Sequence, residues 1–408
     1  MTTGRARILL ITSGPLCRNP RVLKEAWALG SAGYDVQVFT VANQGRSESY
    51  DRELMRGAPF RRTPVNHLAR DPRGRLGSVW DRGLTWLGRR GLRLGWQGPA
   101  ALGPYSHMRS RARRYSADLT IVHTELGLAV GADLLRLGRR VAADIEDWHS
   151  RDLLPSAQRN RPLRLLDALE RRMVQRGAYV STTSHSLARA LAEAYGAAPP
   201  AVIRNVFPLQ PPPGEKPDGR TPSLFWFSQT VGPGRMLELF LAAWARTRQP
   251  SRVCLLGETK PSFRDKLLRR LPVEKRGALD FVDLVSPGDL PGLIARHDVG
   301  LALEASVPDS RNLTITNKLF QYLNAGLPVI ATPTAGQCEL LAEAPQVGWL
   351  MDLTQTTAAA AQIDSILEKT EERRSRARAA RAVAEQVYCW ERESERLLAS
   401  VARAVGPS

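Results

Sequence analysis

Cysteine is scarce in this chain, and long apolar runs are missing from it. The four cysteines lie far apart without a CxxC pair, which argues against a disulfide framework and against a zinc site. No run approaches the roughly 18 apolar residues of a membrane span. The short apolar run at residues 8–12 has no small-residue cleavage site behind it. We therefore expect a protein of the reducing cytoplasm that begins with a buried strand and keeps its cysteines as small buried side chains.

Acidic residues are few relative to basic ones, which gives a formal net charge of +18. Between Arg46 and Arg114 there are 16 arginines, no lysine and 5 acids, a net charge of +11. An excess concentrated in this way indicates an anionic partner such as a membrane surface, a lipid phosphate or nucleic acid. Part of this excess of positive charge has an alternative explanation, a high-GC genome that encodes basic residues as arginine.

Short buried strands and amphipathic helices alternate along the chain. The opening RILLITSG, PLCRNP, RVLKEAWALGSAG and YDVQVFTV reads as a βαβ unit, with Asn19 placed to cap the helix and Pro20 at its first position. The alternation stops at the proline-rich FPLQPPPGEKPDGRTP and then resumes. We predict an α/β protein with two domains of parallel sheet, at residues 1–205 and 223–385, joined by a linker at 206–222. The last 35 or so residues are predicted to form a long helical stretch, whose final part is a terminal helix at 386–408.

Two glycine-bearing or cation-bearing loops of the second domain are candidate anion sites. In WFSQTVGPGRMLE a strand ends near Phe227, Gly232 and Gly234 permit close backbone approach, and Arg235 stands at the next helix start. In TITNKLFQYLNAGLPVIAT, Thr316 is a plausible N-cap and Lys318 lies in the first helical turn. A cation at that end opposes the helix dipole. Lys318 is therefore either a phosphate ligand or a lysine that snorkels at the surface.

Polar residues also follow the predicted strands of the first domain. His123 ends one strand and either touches substrate or is a satisfied loop histidine. Asp144 and Glu146 share one face of another strand and read as an acid/base pair or a metal site, although no third ligand appears at a suitable spacing. Asp147 and His149 follow, and Asp147 is also placed to cap the next turn. We expect no metal here.

The segment SVWDRGLTWLGRRGLRLGWQG, residues 78–98, interleaves tryptophan with arginine. Such a pattern favours an interfacial position on anionic lipid; the alternative is a helix packed on its own domain with solvated arginines. No recognition motif for nucleic acid accompanies it. The residues expected at the membrane are Trp80, Trp86, Arg89, Arg90, Arg93 and Trp96.

Three stretches together carry a resemblance to a known family. GRARILLITSGPLCRNPRVLKEAWALGSAGYDVQVFT, WFSQTVGPGRMLE and DVGLALE with TNKLFQYLNAGLPVIAT resemble the retaining nucleotide-sugar glycosyltransferases of the GT-B fold, family 4 in the broad sense. The resemblance runs from Arg5 to about Leu397. It implies two Rossmann-like α/β/α domains that face each other across a cleft. The first binds the acceptor, the second binds the nucleotide sugar, and the terminal helix crosses back to the first. It also implies a nucleotide-diphosphate donor, retained anomeric configuration, and no cofactor or essential metal.

The resemblance assigns roles to particular residues. Gly14 faces the donor phosphates, His123 contacts the transferred sugar, Arg235 and Lys318 hold the diphosphate, and Gln321 lies where a glutamate binds the ribose. Leu313 and Gln321 depart from the family's two glutamates, and Glu304 is the nearest acid to stand over the donor sugar. The catalytic candidates are His123, Arg235, Lys318 and Glu304. The candidates for binding the donor are Gly14, Gln229, Gly232, Gly234, Asn317 and Gln321. The candidates for an acceptor-binding or structural role are Asp144, Glu146, Asp147 and His149.

These assignments lead us to expect a cytoplasmic hexosyltransferase, peripheral on the inner face of the membrane, that builds a lipid-linked saccharide or surface polysaccharide. Three alternatives stay open: a transferase for a small-molecule or protein acceptor, a binding protein that has lost activity, and a sugar-nucleotide epimerase.

Overall fold

Strands of two to nine residues, most of them apolar, form two parallel sheets. The computed structural model describes residues 5–41, 46–65, 72–159, 161–212, 214, 216–217 and 219–406. Residues 213, 215 and 218 of the predicted linker lie outside this part of the chain, as do the first four residues and the last two. The chain divides into two compact units, one of residues up to Ile203 with those from Ser394 onward, and one of residues 204–393.

The first unit is built on a parallel sheet of seven strands, in the order β3-β2-β1-β4-β5-β6-β7. In the register, Ile8 of the first strand pairs with Val36 on one side and with Leu119 on the other. The strands are β1 (Arg7–Ile11), β2 (Asp35–Val41), β3 (Arg61–Val65), β4 (Leu119–His123), β5 (Val141–Ile145), β6 (Val180–Thr182) and β7 (Ala201–Val202).

Helices of the first unit cover this sheet with apolar side chains such as Met108, Leu134 and Met173. They are α1 (Pro20–Ser31), α2 (Arg46–Leu54), α3 (Pro72–Gly91), α4 (Tyr105–Arg114), α5 (Thr124–Arg136), α6 (Pro155–Gln158), α7 (Leu163–Arg176) and α8 (His185–Tyr195). Short 3-10 helices lie at Leu16–Arg18, Leu92–Leu94, Pro99–Leu102 and His149–Arg151.

The second unit has a parallel sheet of six strands, in the order β10-β9-β8-β11-β12-β13. Trp226 and Leu301 of this sheet pack with Phe240 and Ile363 of its helices in one apolar core. The strands are β8 (Ser223–Val231), β9 (Arg252–Thr259), β10 (Leu279–Val282), β11 (Val299–Ala302), β12 (Val329–Ala331) and β13 (Gly348–Leu350).

The remaining helices begin after β8. They are α9 (Leu237–Trp244), α10 (Pro261–Arg269), α11 (Val273–Arg276), α12 (Leu290–Ala295), α13 (Asp309–Leu313), α14 (Asn317–Asn324), α15 (Ala335–Glu343), α16 (Thr356–Glu368), α17 (Thr370–Gln386) and α18 (Trp390–Val405), with a 3-10 helix at Pro345–Val347. The prediction of an α/β fold with two parallel-sheet domains is thus confirmed.

Four local predictions were wrong. The strand in WFSQTVGPGRMLE does not end near Phe227 but continues, with an irregular register, to Val231. The long terminal helical stretch is broken at Val387, whose φ of −131° and ψ of −53° are not helical, and the amide of Trp390 donates to the Phe207 carbonyl. Asn19 and Thr316 occupy N-cap positions without capping, because their side chains bond elsewhere.

Each sheet reverses its strand order beside its first strand. β8 lies between β9 and β11, and β1 lies between β2 and β4. The helical connections from the two neighbouring strands leave such a point in opposite directions. This opens a crevice at the carboxyl ends of these strands, and ligands of open α/β sheets bind in that crevice. In the second unit this point lies between the end of β8 and the end of β11.

Candidate functional site

The loop after β8 is shaped for close approach of an anion. Gly234 has a φ of +77°, and Met236, with a φ of +58°, is the residue before the first turn of α9. Arg235 lies between them and is half-buried. Because α9 begins at Leu237, the arginine precedes the free amides of the helix start instead of standing within it. Gly232 is half-buried in the same loop, and Gln229 is exposed on the last part of β8.

Lys318, in the first turn of α14, is buried with 7 % of its surface exposed. Its Nζ donates a hydrogen bond of 2.6 Å to Oε1 of Glu304 and lies 5.6 Å from the ring centroid of Trp226, within the range of a cation–π contact. The alternative of a snorkelling surface lysine is therefore wrong. Asn317, the residue before it, is exposed.

Glu304 follows β11 and is the acidic centre of the site. Its backbone amide donates to the hydroxyl of Thr332 at 2.8 Å, and the hydroxyl of Thr316 donates to its Oε1 at 3.3 Å. Burial raises the pKa of this carboxyl, but the charges of Lys318, Arg235 and Arg311 outweigh burial and hold the pKa below its usual value. Glu304 is therefore ionised at neutral pH.

Arg311 completes this cluster, and sequence reasoning missed it. Nη1 of Arg311 donates to the carbonyl of Gly234 at 3.2 Å, and its Nε lies 3.8 Å from Oε2 of Glu304. The side chain thus joins the loop after β8 to the residue that follows β11. A signal was present, since the arginine stands between the two candidate loops in SVPDSRNLT. Three cations and one carboxylate leave a net charge of +2 at this point.

Gln321 lies one turn after Lys318 on α14. Its Oε1 is buried, and within the described residues it accepts no hydrogen bond. An unpaired buried carbonyl oxygen is unfavourable unless a ligand or water supplies a donor. The amide of Gln321 is therefore an acceptor left available for a hydroxyl group.

The first unit holds a second cluster of charge, centred on His123 at the end of β4. Arg21 makes a bidentate pair with Asp144, with Nε and Nη2 donating at 2.5 and 2.6 Å. His123 Nε2 lies 3.1 Å from Glu25 Oε2 and its Nδ1 lies 3.3 Å from Asp144 Oδ2. All four residues have no more than 3 % of their surface exposed.

Ionisation in this cluster follows from its ion pairs. Burial lowers the pKa of His123, but the carboxylates of Glu25 and Asp144 outweigh it and raise the pKa to about 10. Burial raises the pKa of Asp144, and the Arg21 guanidinium outweighs it, so that this pKa is lowered. Burial and the charge of Arg21 lower the pKa of Lys24 to about 7. His123 is thus protonated at neutral pH and stands between two carboxylates.

Asp144 and Glu146 stay a predicted acid/base pair, and the two carboxyls differ in their surroundings: burial raises the pKa of Glu146, whereas that of Asp144 is lowered. Asp144 accepts bonds from Arg21 and from the hydroxyl of Ser181 at 2.7 Å, whereas Glu146 lies past the end of β5 and is half-buried. Asp147 is exposed and precedes Trp148, which is the N-cap of the next 3-10 helix. Burial lowers the pKa of His149 to about 4, which keeps its ring neutral.

Glu25, His123 and Asp144 each offer a ligand atom within 4.8 Å of the others, the spacing of a metal site. Arg21 already places its guanidinium on Asp144, and His123 carries a proton. A divalent cation would meet both positive charges, so these residues suit an ion-pair network and not a metal.

Gly14 follows β1 in a tightly packed loop. A Cβ at this position would lie 2.6 Å from Nδ2 of Asn19, which itself donates to the hydroxyl of Thr12 at 3.2 Å. A side chain here would require the Asn19 amide to shift.

Both halves of the sequence match models of glycosyltransferase domains. Residues 21–210 match the model described as Glycosyltransferase Family 4, and residues 235–399 match the model described as Glycosyl transferase-like. The chain is a glycosyltransferase of the GT-B fold. The second match begins at Arg235 and includes Glu304, Arg311 and Lys318, while the first begins at Arg21 and includes His123.

Solved structures share the fold of this glycosyltransferase over nearly its whole length. HepE from Anabaena, in complex with UDP and glucose, is 17 % identical, with 97 % of this chain and 99 % of that chain covered and a TM-score of 0.67. A glycosyltransferase from Rickettsia africae is 12 % identical over 99 % and 100 %, with a TM-score of 0.68. WaaG, involved in lipopolysaccharide biosynthesis, is 15 % identical over 95 % and 98 %, with a TM-score of 0.58. No curated protein matches the sequence.

Proposed function

We propose that this glycosyltransferase moves a hexosyl group from a nucleotide-diphosphate sugar to a saccharide acceptor, with Arg235, Arg311 and Lys318 binding the diphosphate. The proposal rests on one observation. These three cations come from separate elements and converge where the strand order of the second sheet reverses. Complexes of HepE with UDP and with UDP-glucose support a nucleotide-sugar donor for this fold.

The charges of the cluster suit a diphosphate leaving group. As the bond between the sugar C1 and the phosphate oxygen breaks, its electron pair stays on that oxygen and negative charge accumulates there. Preorganised cations stabilise this charge without the cost of reorganising water. The net charge of +2 balances the two negative charges that the diphosphate carries in the donor, so we propose that the reaction needs no metal ion.

Glu304 keeps the three cations together before the donor binds. Its carboxylate neutralises part of their mutual repulsion and holds Lys318 at 2.6 Å. In the proposed complex the donor phosphates share these cations with Glu304, and the carboxylate is placed near the departing sugar, where positive charge develops on the ring.

We propose that the anomeric configuration is retained. Attack from the face that the phosphate leaves allows a phosphate oxygen to take the proton of the acceptor hydroxyl as the new C1–O bond forms. This route needs no protein base, and two of the three candidate carboxylates, Asp144 and Glu304, are held by cations through hydrogen bonds. The same pairing weakens the alternative of an epimerase, which needs free acid/base groups.

Residues outside the cation cluster complete the proposed donor site. Gln321 would accept a hydrogen bond from the ribose, and Asn317, Gln229, Gly232 and Gly234 border the same loops. The contacts of Gly14 with the donor phosphates and of His123 with the transferred sugar stay predictions. The imidazolium of His123 faces two carboxylates, so we propose that it acts mainly by positioning the end of β4.

The proposed acceptor is a lipid-linked saccharide or a precursor of a surface polysaccharide. WaaG, a structural neighbour involved in lipopolysaccharide biosynthesis, supports this class, and so does the basic surface of the first unit. Acceptors of other classes are distinguished by a transfer assay that compares a lipid-linked sugar with the free sugar and with a protein.

Calorimetric titration with UDP, ADP, GDP, CDP and dTDP tests the donor assignment. We expect one or two of these to bind in the micromolar range, and the sugar conjugate of the tighter binder to release nucleotide in the presence of EDTA. Failure of all five to bind would overturn the enzyme proposal. Binding without turnover on any sugar conjugate would instead favour the non-catalytic alternative, for which the glutamine at position 321 is the supporting feature.

A further inference from the structure

A patch of large apolar side chains lies exposed on the first unit, on α3 and the residues that follow it. Trp80, Trp86 and Trp96 have 65 %, 56 % and 66 % of their surface exposed, and Leu94 has 89 %. We call residues 79–96 the α3 patch; Val79 and Leu87 are its other large exposed apolar residues. Contiguous exposed apolar surface of this kind marks a site of interaction with a partner or a membrane.

The opposite side of α3 is fixed to its own unit by close contacts. A Cβ at Gly88 would lie 2.7 Å from the amide nitrogen of Ala101, so the helix packs directly on backbone there. The hydroxyl of Thr85 donates to the carbonyl of Gly103 at 3.1 Å. Asp81 is buried and lies 2.6 Å from Nδ1 of His107. The helix therefore packs on its own unit with its arginines exposed, as the alternative to a membrane position predicted, and its tryptophans point outward.

Positive charge is interleaved with these apolar side chains. Arg82, Arg89, Arg90 and Arg93 are all exposed, and the Arg90 guanidinium lies 4.8 Å from the ring centroid of Trp86. The one acidic residue of the patch sequence, Asp81, is buried against His107. The exposed face thus combines tryptophan with uncompensated arginine.

We infer that the α3 patch docks this protein on a bilayer rich in anionic phospholipid. Tryptophan rings prefer the boundary between headgroups and acyl chains, and arginine can reach lipid phosphates while its methylenes stay in the apolar layer. No helix of the described residues is long and apolar enough to span a bilayer. Binding at the interface therefore rests on this surface. The inference is independent of the proposed diphosphate cluster of Arg235, Arg311 and Lys318, which lies in the second unit.

Charge complementarity favours lipid over the other occupants of an apolar surface. A second copy of this chain would bring the same arginines against each other, since a twofold interface places equal patches face to face. An anionic bilayer meets the tryptophans and the arginines at once, with each arginine near the surface strengthening binding by roughly 5-fold.

Flotation with vesicles tests the inference. The full chain is mixed with vesicles of pure phosphatidylcholine, or of phosphatidylcholine with 30 % phosphatidylglycerol, at about 50 and 500 mM NaCl. We expect flotation with the anionic vesicles at low salt, with a reduction of 10-fold or more in apparent affinity at high salt because screening weakens surface electrostatics.

Two double variants separate the apolar and charged contributions. Trp80→Ser with Trp86→Ser should lower vesicle affinity at least 10-fold, and Arg82→Gln with Arg93→Gln should lower it about 10- to 30-fold at low salt. The matched control for charge is Arg269→Gln with Arg270→Gln, two exposed arginines of the second unit, and the control for apolar exposure is Val273→Ser with Leu284→Ser. Both controls should bind as wild type does.

Circular dichroism and release of nucleotide from the donor sugar check that every variant is folded and active. Equal loss of vesicle binding in variants and controls would overturn the inference, as would failure of folded wild type to bind anionic vesicles. Self-association that the Trp80→Ser and Trp86→Ser pair abolishes, without vesicle binding, would also overturn it, by assigning the patch to a second copy of the chain.

Discussion

The ammonium of Lys318 lies 2.6 Å from the carboxylate of Glu304, and both side chains are buried. This pair explains a cation in the first turn of a helix, where the dipole alone disfavours one. Burial of either charge by itself would be costly, so each residue is required by the other. The pair also presents the lysine, together with Arg235 and Arg311, at the carboxyl ends of β8 and β11.

The pair predicts a non-additive effect on stability. Lys318→Met leaves the Glu304 carboxylate buried with less compensation, so we expect it to lower the free energy of unfolding of the second unit by about 3 kcal/mol. The double change Lys318→Met with Glu304→Gln removes both charges and should cost about 1–2 kcal/mol less than the single one. Urea denaturation of the four proteins in the cycle measures this. Additive single effects would contradict the coupling.

Loss of a cation should impair transfer more than it impairs stability. We expect Arg235→Ala, and the folded double variant Lys318→Met with Glu304→Gln, each to lower kcat/KM by roughly 100-fold, since an electrostatic contact to the developing charge is lost. Rates of nucleotide release from the donor sugar measure the effect. Lys369→Ala, at an exposed lysine of the same unit, is the control that should leave the rate unchanged. Wild-type rates in Arg235→Ala would contradict the diphosphate assignment.

Arg311, which is not among the site residues predicted from the sequence, should bind the donor. Arg311→Ala is expected to raise the Kd for the preferred nucleotide diphosphate about 10-fold and to affect the corresponding monophosphate less, because the arginine faces the diphosphate cluster. Titration calorimetry at two salt concentrations measures both. Arg248→Ala removes an exposed arginine of the same unit and should leave both affinities unchanged. An equal loss for mono- and diphosphate would argue for a structural role.

Gln321 is expected to recognise a hydroxyl group through its unpaired Oε1. Gln321→Ala should weaken nucleotide-diphosphate binding about 10-fold, and Gln321→Glu should restore it, because a carboxylate accepts the same hydrogen bonds. With the 2′,3′-dideoxy analogue the alanine variant should lose little, since the partner is missing already. The same loss with both ligands would show that Gln321 does not contact the ribose hydroxyls.

His123 predicts a pH dependence of stability with a definite sign. Its pKa of about 10 lies above the unfolded value, so its contribution is complete below about pH 6.5 and is lost as pH rises toward 10. The difference in unfolding free energy between wild type and His123→Gln should therefore fall, by roughly 2–4 kcal/mol, over this range. Lys24, with a pKa lowered to about 7, acts in the opposite sense in both proteins, so only the difference isolates the histidine.

Urea denaturation followed by far-ultraviolet circular dichroism, in steps from pH 6 to 10, measures this difference. A matched titration of His297→Gln serves as the control, since burial lowers the pKa of His297 to about 4 and its protonation changes stability in that range by less than about 1 kcal/mol, all of it below about pH 7.5. A constant difference for His123→Gln would contradict the ion pairs with Glu25 and Asp144.

Several features were predictable because they depend on neighbours in the sequence. The alternation of apolar runs with amphipathic helices indicated both sheets, and the glycines and helix starts indicated the loops that follow β8 and precede α14. Predictions were wrong where a residue with a local structural preference bonds a residue elsewhere in the chain instead. Asn19 and Thr316 stand at helix starts, yet their side chains bond Thr12 and Glu304. The terminal stretch has a helical composition, yet a backbone bond between Trp390 and Phe207 accompanies its break.

The sequence by itself determined the class of fold, the order of the elements and the placing of Arg235 and Lys318 at loop ends, because helix and strand periodicity are local properties. Only the tertiary structure decided which charges are paired. Glu304 and Lys318 are 14 positions apart, and Arg21 and Asp144 are 123 apart. Their pairing depends on which strands lie side by side and on how far water is excluded. The sequence alone predicts neither of these, and both set the charge of the site.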